Sequence, residues 1–106
     1  MVKPGPAKHV IVYLGEDVHQ HGEPLYLAVL NYLFSCGVSG ATVTKGVAGF
    51  GTHHRMHTAR ILDISENLPV KIEFIEEAGK LDAILPKLTE IVSGHLIAIA
   101  DITVIR

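Results

Sequence analysis

Three glycines and a group of basic side chains lie close together between positions 45 and 57. Gly46, Gly49 and Gly51 follow a segment rich in valine and threonine, and the chain then continues through histidines and an arginine. Glycine lets the backbone approach a ligand closely, and neighbouring backbone N–H groups can bind an anion. The spacing therefore predicts an anion-binding strand end, although the same glycines would also suit a bent or bulged strand.

The side chains that could supply positive charge to such an anion are Lys45, His53, His54, Arg55 and Arg60. An arginine can hold a phosphate through two parallel N–H bonds, whereas a lysine acts as a point charge. Phe50 lies between two of the glycines and suits either core or interface packing, or stacking against a base. The ordinary alternative for the basic group is a solvated loop surface.

Three histidines, His53, His54 and His57, form a His-His-x-x-His string that raises the question of a metal site. Two of them at helical spacing could chelate zinc, nickel or copper, and His19 and His21 could join them if the loops meet. No helical apolar rhythm surrounds the string and no further ligand is evident, so metal binding is the weaker hypothesis. The histidines would also make this segment sensitive to pH near neutrality.

Residues suited to catalysis are few. Glu16 and Asp17 follow the first predicted strand without an evident nucleophile, and a solvated loop is the simpler interpretation. Cys36 lies on a predicted helix without a charged partner, which makes it a poor nucleophile. We therefore expect a protein without catalytic activity. The enzymatic alternative is a nucleotide hydrolase whose water is activated by Glu16 or a histidine.

The composition predicts a single ordered domain over residues 1–106. Hydrophobic residues make up 48% of the chain, and 9 basic against 11 acidic residues leave a formal charge of −2. That balance argues against a nucleic-acid partner, and no apolar stretch is long enough for direct membrane insertion. The single cysteine and the absence of a signal-like apolar run near the start favour a cytoplasmic protein.

Apolar spacing and turn residues predict the element order β-α-β-β-α-β. We predict a flexible arm over 1–7, strands over 8–15, 40–51, 68–76 and 96–105, and helices over 23–36 and 77–92. Pro86 is expected to kink or end the second helix early. The polar segment 52–67 is predicted to be a long functional loop with some short structure of its own. The order predicts an α+β, ferredoxin-like fold, with a four-stranded antiparallel sheet and both helices on one face.

The last predicted strand is apolar on both faces. Its two alternating sets are Leu96, Ala98, Ala100, Ile102 and Val104 on one side, and Ile97, Ile99 and Ile105 on the other. An apolar sheet face without helices would not remain exposed to water, so we expect other copies of the chain to cover it in a closed homo-oligomer. The alternative cover is the chain's own long loop.

The chain resembles the P-II-like family of small bacterial and archaeal proteins, which is related to the P-II nitrogen-regulatory signal proteins. The resemblance extends from about Val10 to Val104, and its specific parts are Gly40-Ala41-Thr42-Val43, Gly49-Phe50-Gly51, His57-Thr58 and Leu68-Pro69-Val70. It implies a ferredoxin-like trimer with inward-facing sheets and a regulatory loop over 52–67. It also implies an adenine nucleotide between subunits at the base of that loop.

On this basis we expect an adenine nucleotide or similar anion to bind near Lys45, Gly49, Phe50, Gly51, His54 and Arg55. Binding would alter the order of the loop, which would engage a partner such as a transporter or an enzyme. The alternative function is metal-ion binding through the loop histidines, as in the structurally similar divalent-cation-tolerance trimers.

Two features depart from the P-II pattern. Basic residues directly follow Gly-Phe-Gly in P-II proteins, whereas Thr52, His53 and His54 precede Arg55 here. P-II proteins also carry a glycine-rich, phosphate-gripping loop after the second helix, for which the short segment 92–96 leaves almost no room. We therefore expect AMP or ADP to be favoured over ATP.

Overall fold

The computed structural model describes residues 2–51, 56–58 and 68–106 of the 106-residue chain. The four strands of its main sheet are β1 (Gly5–Gly15), β2 (Ala41–Lys45), β3 (Pro69–Glu76) and β4 (Leu96–Val104). The two helices are α1 (Leu25–Ser35), between β1 and β2, and α2 (Ala78–Ile91), between β3 and β4. Neither helix is long and apolar enough to cross a membrane.

The main sheet has the strand order β2-β3-β1-β4, and each neighbouring pair is antiparallel. The two β-α-β halves interleave in this order, which confirms the predicted α+β, ferredoxin-like arrangement. The outermost strands of the sheet are β2 on one side and β4 on the other.

Two short antiparallel ladders lie outside the main sheet. His19–Gln20 pairs with Glu23–Pro24, and Ala48–Gly49 pairs with His57–Thr58. The second ladder gives the predicted long loop a short strand, as expected, and continues the chain beyond β2 as a hairpin. Positions 52–55 and 59–67 of that loop lie outside the described residues.

The predicted flexible arm over 1–7 is wrong in its second half. β1 begins at Gly5, which pairs with Val104 of β4. Val2 and Ala7 are buried. Ladder hydrogen bonds and apolar burial therefore hold this segment to the domain, although its prolines and glycine are typical of a loose terminus.

Two other boundaries also differ from those predicted. The second strand ends at Lys45 and does not continue to Gly51, because the chain leaves β3 for the hairpin after a last hydrogen bond, from the Gly46 N–H to the Pro69 carbonyl across 2.7 Å. The first helix begins at Leu25, since Glu23–Pro24 belongs to a short ladder.

Of the two outcomes expected at Pro86, a kink or an early end of the helix, the early end is wrong, since α2 continues to Ile91. Pro86 lies on the exposed side of the helix, whereas Leu81, Ile84 and Leu88 are buried against the sheet. Packing of that apolar side supplies most of the stability of such a helix and outweighs the hydrogen bond that proline removes.

The core lies between the two helices and one face of the sheet. Its buried members come from β1, β3 and both helices: Val10, Val12, Leu14, Leu25, Val29, Leu33, Ile72, Phe74, Leu81, Ile84, Leu88 and Val92. Gly37 ends α1 with a φ of 74°, and the Val38 N–H returns to the Leu33 carbonyl across 3.4 Å, which completes a Schellman motif.

The opposite face of the sheet carries no helix in the described part of the chain. The register pairs Tyr13 with Leu96 and Ile11 with Ala98, so these four side chains share this face. Tyr13 is 41% exposed and Leu96 is 63% exposed. We call this surface the bare face. Its apolar character is as predicted for β4, and it leaves a large apolar area for another molecule to cover.

One polar cluster interrupts the bare face. His9 Nε2 lies 3.0 Å from Glu73 Oε2, and Lys71 Nζ lies 3.3 Å from Glu73 Oε1. The hydrogen bond that His9 donates, followed by the one from Lys71, lowers the pKa of Glu73 from its ordinary value of 4.5. At neutral pH the carboxylate is therefore ionised and held on both oxygens.

This cluster predicts a defined loss of stability in acid. Because folding lowers the pKa of Glu73, its contribution is complete above 4.5 and disappears as the pH falls through the lowered folded-state value. As the pH falls below about 5, we expect the melting temperature of Glu73→Gln to decrease less than that of the wild type. Glu90→Gln on α2 is the control and should retain the wild-type slope. Parallel slopes for wild type and Glu73→Gln would contradict the prediction.

Candidate functional site

At one edge of the sheet, the one formed by the ends of its strands, β1 and β2 end and β3 begins. Gly15 at the end of β1 pairs with Pro69 at the start of β3, and Lys45 at the end of β2 pairs with Val70. The Glu16 N–H then donates to the Leu68 carbonyl across 2.9 Å. The first residue after β1 and the last residue of β2 therefore lie on either side of the start of β3.

Glu16 and Lys45 form an ion pair at this edge, between Glu16 Oε2 and Lys45 Nζ. Only 8% of Glu16 is exposed, whereas 54% of the Lys45 side chain is exposed. The second carboxylate oxygen, Oε1, is buried and has no hydrogen-bond partner among the described residues. A buried carboxylate thus lies behind an ammonium group that faces solvent.

The glycines of the predicted anion site have a second role in the structure. A Cβ added to Gly46 would lie 2.9 Å from Pro69 Cγ, and one added to Gly49 would lie 3.0 Å from the same atom. Neither glycine has a positive φ. The two glycines therefore leave room for the proline ring, and the Gly46 N–H, bonded to Pro69, is not offered to an anion as the sequence suggested.

Gly46→Ala is expected to destabilise the domain by about 1–3 kcal/mol, because the added methyl group meets a rigid ring that a hydrogen bond holds in place. Gly51→Ala is the matched control, since no atom of the described residues lies within 4 Å of the position its Cβ would take. The control should change stability by less than about 0.5 kcal/mol. Urea unfolding measures both, and equal midpoints for the two variants would contradict a packing role for Gly46.

The hairpin that follows β2 presents apolar side chains to solvent. Phe50 is 59% exposed, Val47 is 77% exposed and Met56 is 65% exposed. Phe50 is therefore not a core side chain, which leaves interface packing or stacking against a base. Gly49 pairs with His57 in the short ladder, which places His57 beside this site. His53, His54, Arg55 and Arg60 lie outside the described residues.

The structure does not assemble a metal centre from the residues it describes. No group of three or more His, Cys, Asp and Glu side chains within them is placed to hold an ion. His19 Nδ1 instead lies 2.8 Å from the Asp17 carbonyl oxygen, and His21 occupies a hairpin turn with a φ of 54°. His53 and His54 of the candidate string fall outside this comparison.

The connection between α2 and β4 is as short as the sequence indicated. Val92 caps α2, β4 begins at Leu96, and the His95 N–H donates to the Val92 carbonyl across 2.8 Å. Three residues separate these points, and they are occupied by a tight turn. The chain therefore has no long glycine-rich loop at this position with which to surround a polyphosphate.

Sequence reasoning considered Glu16 as a solvated loop residue or, in the enzymatic alternative, as the group that activates a water, and it did not predict the pair with Lys45. An acid directly after an apolar strand suggested a solvated loop, yet the side chain is buried and paired. The partner is set by the sheet order, which brings the ends of β1 and β2 to either side of β3. The sequence did contain one signal: Glu16 follows one apolar strand, Lys45 ends another, and their charges are opposite.

Comparison with known proteins identifies the family and the fold. Residues 7–104 match the DUF190 family, described as "Uncharacterized ACR". The UPF0166 protein of Methanocaldococcus jannaschii is 38% identical over 96 residues, which cover 90% of this chain and 88% of that protein.

Solved structures of CPII from Thiomonas intermedia K12, a nitrogen regulatory PII-like protein, have the same fold. The complex with ADP and bicarbonate has a TM-score of 0.69 at 21% identity and covers 100% of this chain and 95% of CPII. A complex with ADP, AMP and bicarbonate has a TM-score of 0.67 at 19% identity, with coverage of 97% and 99%. The fold is therefore PII-like, and the match over residues 7–104 shows that the chain belongs to the DUF190 family.

Proposed function

We propose that the chain is a PII-like regulatory protein without catalytic activity, which binds an adenine nucleotide or a similar small anion between copies of itself. The ligand would lie near Lys45, Gly49, Phe50, Gly51, His54 and Arg55. The observation that carries the proposal is the position of Lys45, an exposed ammonium group at the base of the hairpin of a PII-like fold. CPII, which shares that fold, has been solved with ADP and with AMP.

The surroundings of Lys45 suit the two ends of a nucleotide. Lys45 offers a cation to a phosphate, and Phe50 offers a largely exposed ring to a base. Arg55 follows in the sequence and would add a bidentate phosphate contact. A mixed site of this kind fits a nucleotide better than it fits a bare inorganic ion.

The short α2–β4 connection supports AMP and ADP over ATP. Polyphosphates are commonly held by a series of backbone N–H groups from a glycine-rich loop. Three residues in a tight turn supply few such groups at this position. The proposed ligand therefore has one or two phosphates.

The bare face supports assembly into a trimer. Apolar side chains of β1 and β4 cover it, and burying them against other copies would remove this surface from water. In the proposed trimer the sheets face inward, and the bases of the 52–67 loops lie at the seams between copies. Nucleotide binding would then change the order of those loops, which act on a cytoplasmic partner such as a transporter or an enzyme.

The environment of Glu16 supports a binding role rather than catalysis. A general base must reach a water or a substrate proton, but this carboxylate is buried and held by Lys45. We therefore propose that bound nucleotide is released unchanged. Incubation with ADP or ATP followed by chromatography should show no product, and turnover abolished by Glu16→Ala would overturn this part of the proposal.

Calorimetric titration with AMP, ADP and ATP tests the proposed ligand. We expect saturable binding of AMP and ADP that is tighter than binding of ATP. Lys45→Gln should weaken binding by about ten- to a hundredfold, the usual effect of losing a hydrogen bond to a charged group. Lys87→Gln on α2 is the control and should bind like the wild type. Flat titrations with all three nucleotides would remove the nucleotide from the proposal.

A further inference from the structure

The Glu16–Lys45 pair lies where we propose that the nucleotide binds, and the inference below rests on that proposed function. We infer that Glu16 sets the net charge of the site, so that the chain discriminates against the more highly charged nucleotides. In this role Glu16 is a specificity residue that repels surplus negative charge.

The buried Glu16 carboxylate lies behind the solvent-facing Lys45 ammonium group. Glu16 is almost entirely buried, and its backbone is fixed by the hydrogen bond from its N–H to the Leu68 carbonyl. Lys45 is more than half exposed and ends an edge strand, so a ligand approaches it from the solvent side. An anion that reaches Lys45 Nζ therefore has the Glu16 carboxylate directly behind that ammonium group.

The carboxylate offsets much of the attraction that the ammonium group would exert alone. The repulsion by Glu16 extends to the bound ligand at low ionic strength, because a buried charge is screened less by water than an exposed one. Asp17, the next residue in the chain, is exposed to solvent. Among the described residues, Lys45 is thus the cation of this edge and Glu16 already neutralises it.

Repulsion of this kind increases with the charge of the ligand. Each added phosphate brings about one further negative charge. The attraction to Lys45 and the repulsion by Glu16 both grow with that charge, and their near cancellation leaves little gain for a longer polyphosphate. This effect is independent of the short α2–β4 connection, which limits the number of backbone donors rather than the charge.

Glu16→Gln is the variant that isolates the charge. Glutamine has almost the same shape, and its carbonyl oxygen still accepts a hydrogen bond from Lys45. We expect the variant to gain about tenfold in affinity for ATP but only about two- to threefold for AMP, with ADP between them, as charges at these distances predict. Glu90→Gln makes the same change of net charge on α2 and should leave the order of affinities unchanged.

Salt dependence distinguishes a charge effect from a change of shape. Raising the ionic strength from about 0.05 M to about 0.5 M should reduce the extra gain for ATP, because the Debye length becomes shorter than the distance between the groups. Calorimetry at both salt concentrations measures this, and circular dichroism verifies that the variant is folded.

The outcomes separate this inference from the proposed function. A shift of preference towards ATP that weakens in salt supports the charge effect of Glu16. Equal gains for the three nucleotides, or a loss for all of them, overturn the inference but leave nucleotide binding in place. The absence of binding to wild type and to both variants overturns the inference and the proposed function together.

Discussion

Replacing Lys45 with alanine is expected to lower the free energy of unfolding by about 2–4 kcal/mol, although Lys45 is itself more than half exposed. The loss comes from its partner. Without Lys45 the Glu16 carboxylate is left buried with neither oxygen paired among the described residues, since Oε1 has no hydrogen-bond partner there even in the intact chain. An unpaired buried charge is among the most costly defects that a single substitution produces.

Removing the charge of Glu16 instead should lower the free energy of unfolding much less. Glu16→Gln leaves Lys45 in a position where water can hydrate it, so we expect a loss of less than about 1 kcal/mol. The double variant, Glu16→Gln with Lys45→Ala, should regain most of the stability that Lys45→Ala alone loses, because it has no carboxylate at position 16. Urea unfolding of the four proteins at one protein concentration measures this cycle. Equal losses for the two single variants would contradict the burial of Glu16.

A charge introduced on the bare face is expected to dissociate the proposed trimer. Ala98 pairs with Ile11 at the middle of this face, so Ala98→Asp would place a carboxylate where the copies are proposed to meet. Each buried, unpaired charge costs several kcal/mol, and a trimer would contain three of them. We expect light scattering to give three times the 11.5 kDa chain mass for the wild type and a single chain mass for the variant.

Ala83→Asp provides the control for that experiment. Ala83 is exposed on α2, away from the bare face, so the same substitution there should leave the trimer intact. Circular dichroism should show that the Ala98→Asp chain remains folded, because its core on the other face is unchanged. A trimer that survives Ala98→Asp would show that the bare face is not the contact between copies.

The parts of the fold that depend on local pattern could be predicted from the sequence. Apolar spacing predicted a strand where β3 lies and helices where α1 and α2 lie. The two-sided apolar pattern of β4 likewise predicted the bare face. In each case the pattern reports burial of neighbouring residues on one element, which tertiary contacts then reinforce.

The features that sequence reasoning missed depend on contacts between distant segments. The sequence offered Gly46 and Gly49 either an anion site or a bent strand, but it did not show that the Pro69 ring, 20 or more residues later in the chain, requires their small size. Glu16 was interpreted as solvated, but the order of strands buries it beside Lys45. No local pattern contains such information, because it arises only when β1 and β2 flank β3.

We propose that identical chains meet in an interface at the end of β2 and bind an adenine nucleotide in that interface. Native mass spectrometry of the untagged protein with added ADP reads the assembly and its ligand in one spectrum. We expect a trimer that carries up to three molecules of ADP, one for each contact between neighbouring copies. A monomer, or a trimer that carries none at saturating ADP, would contradict it.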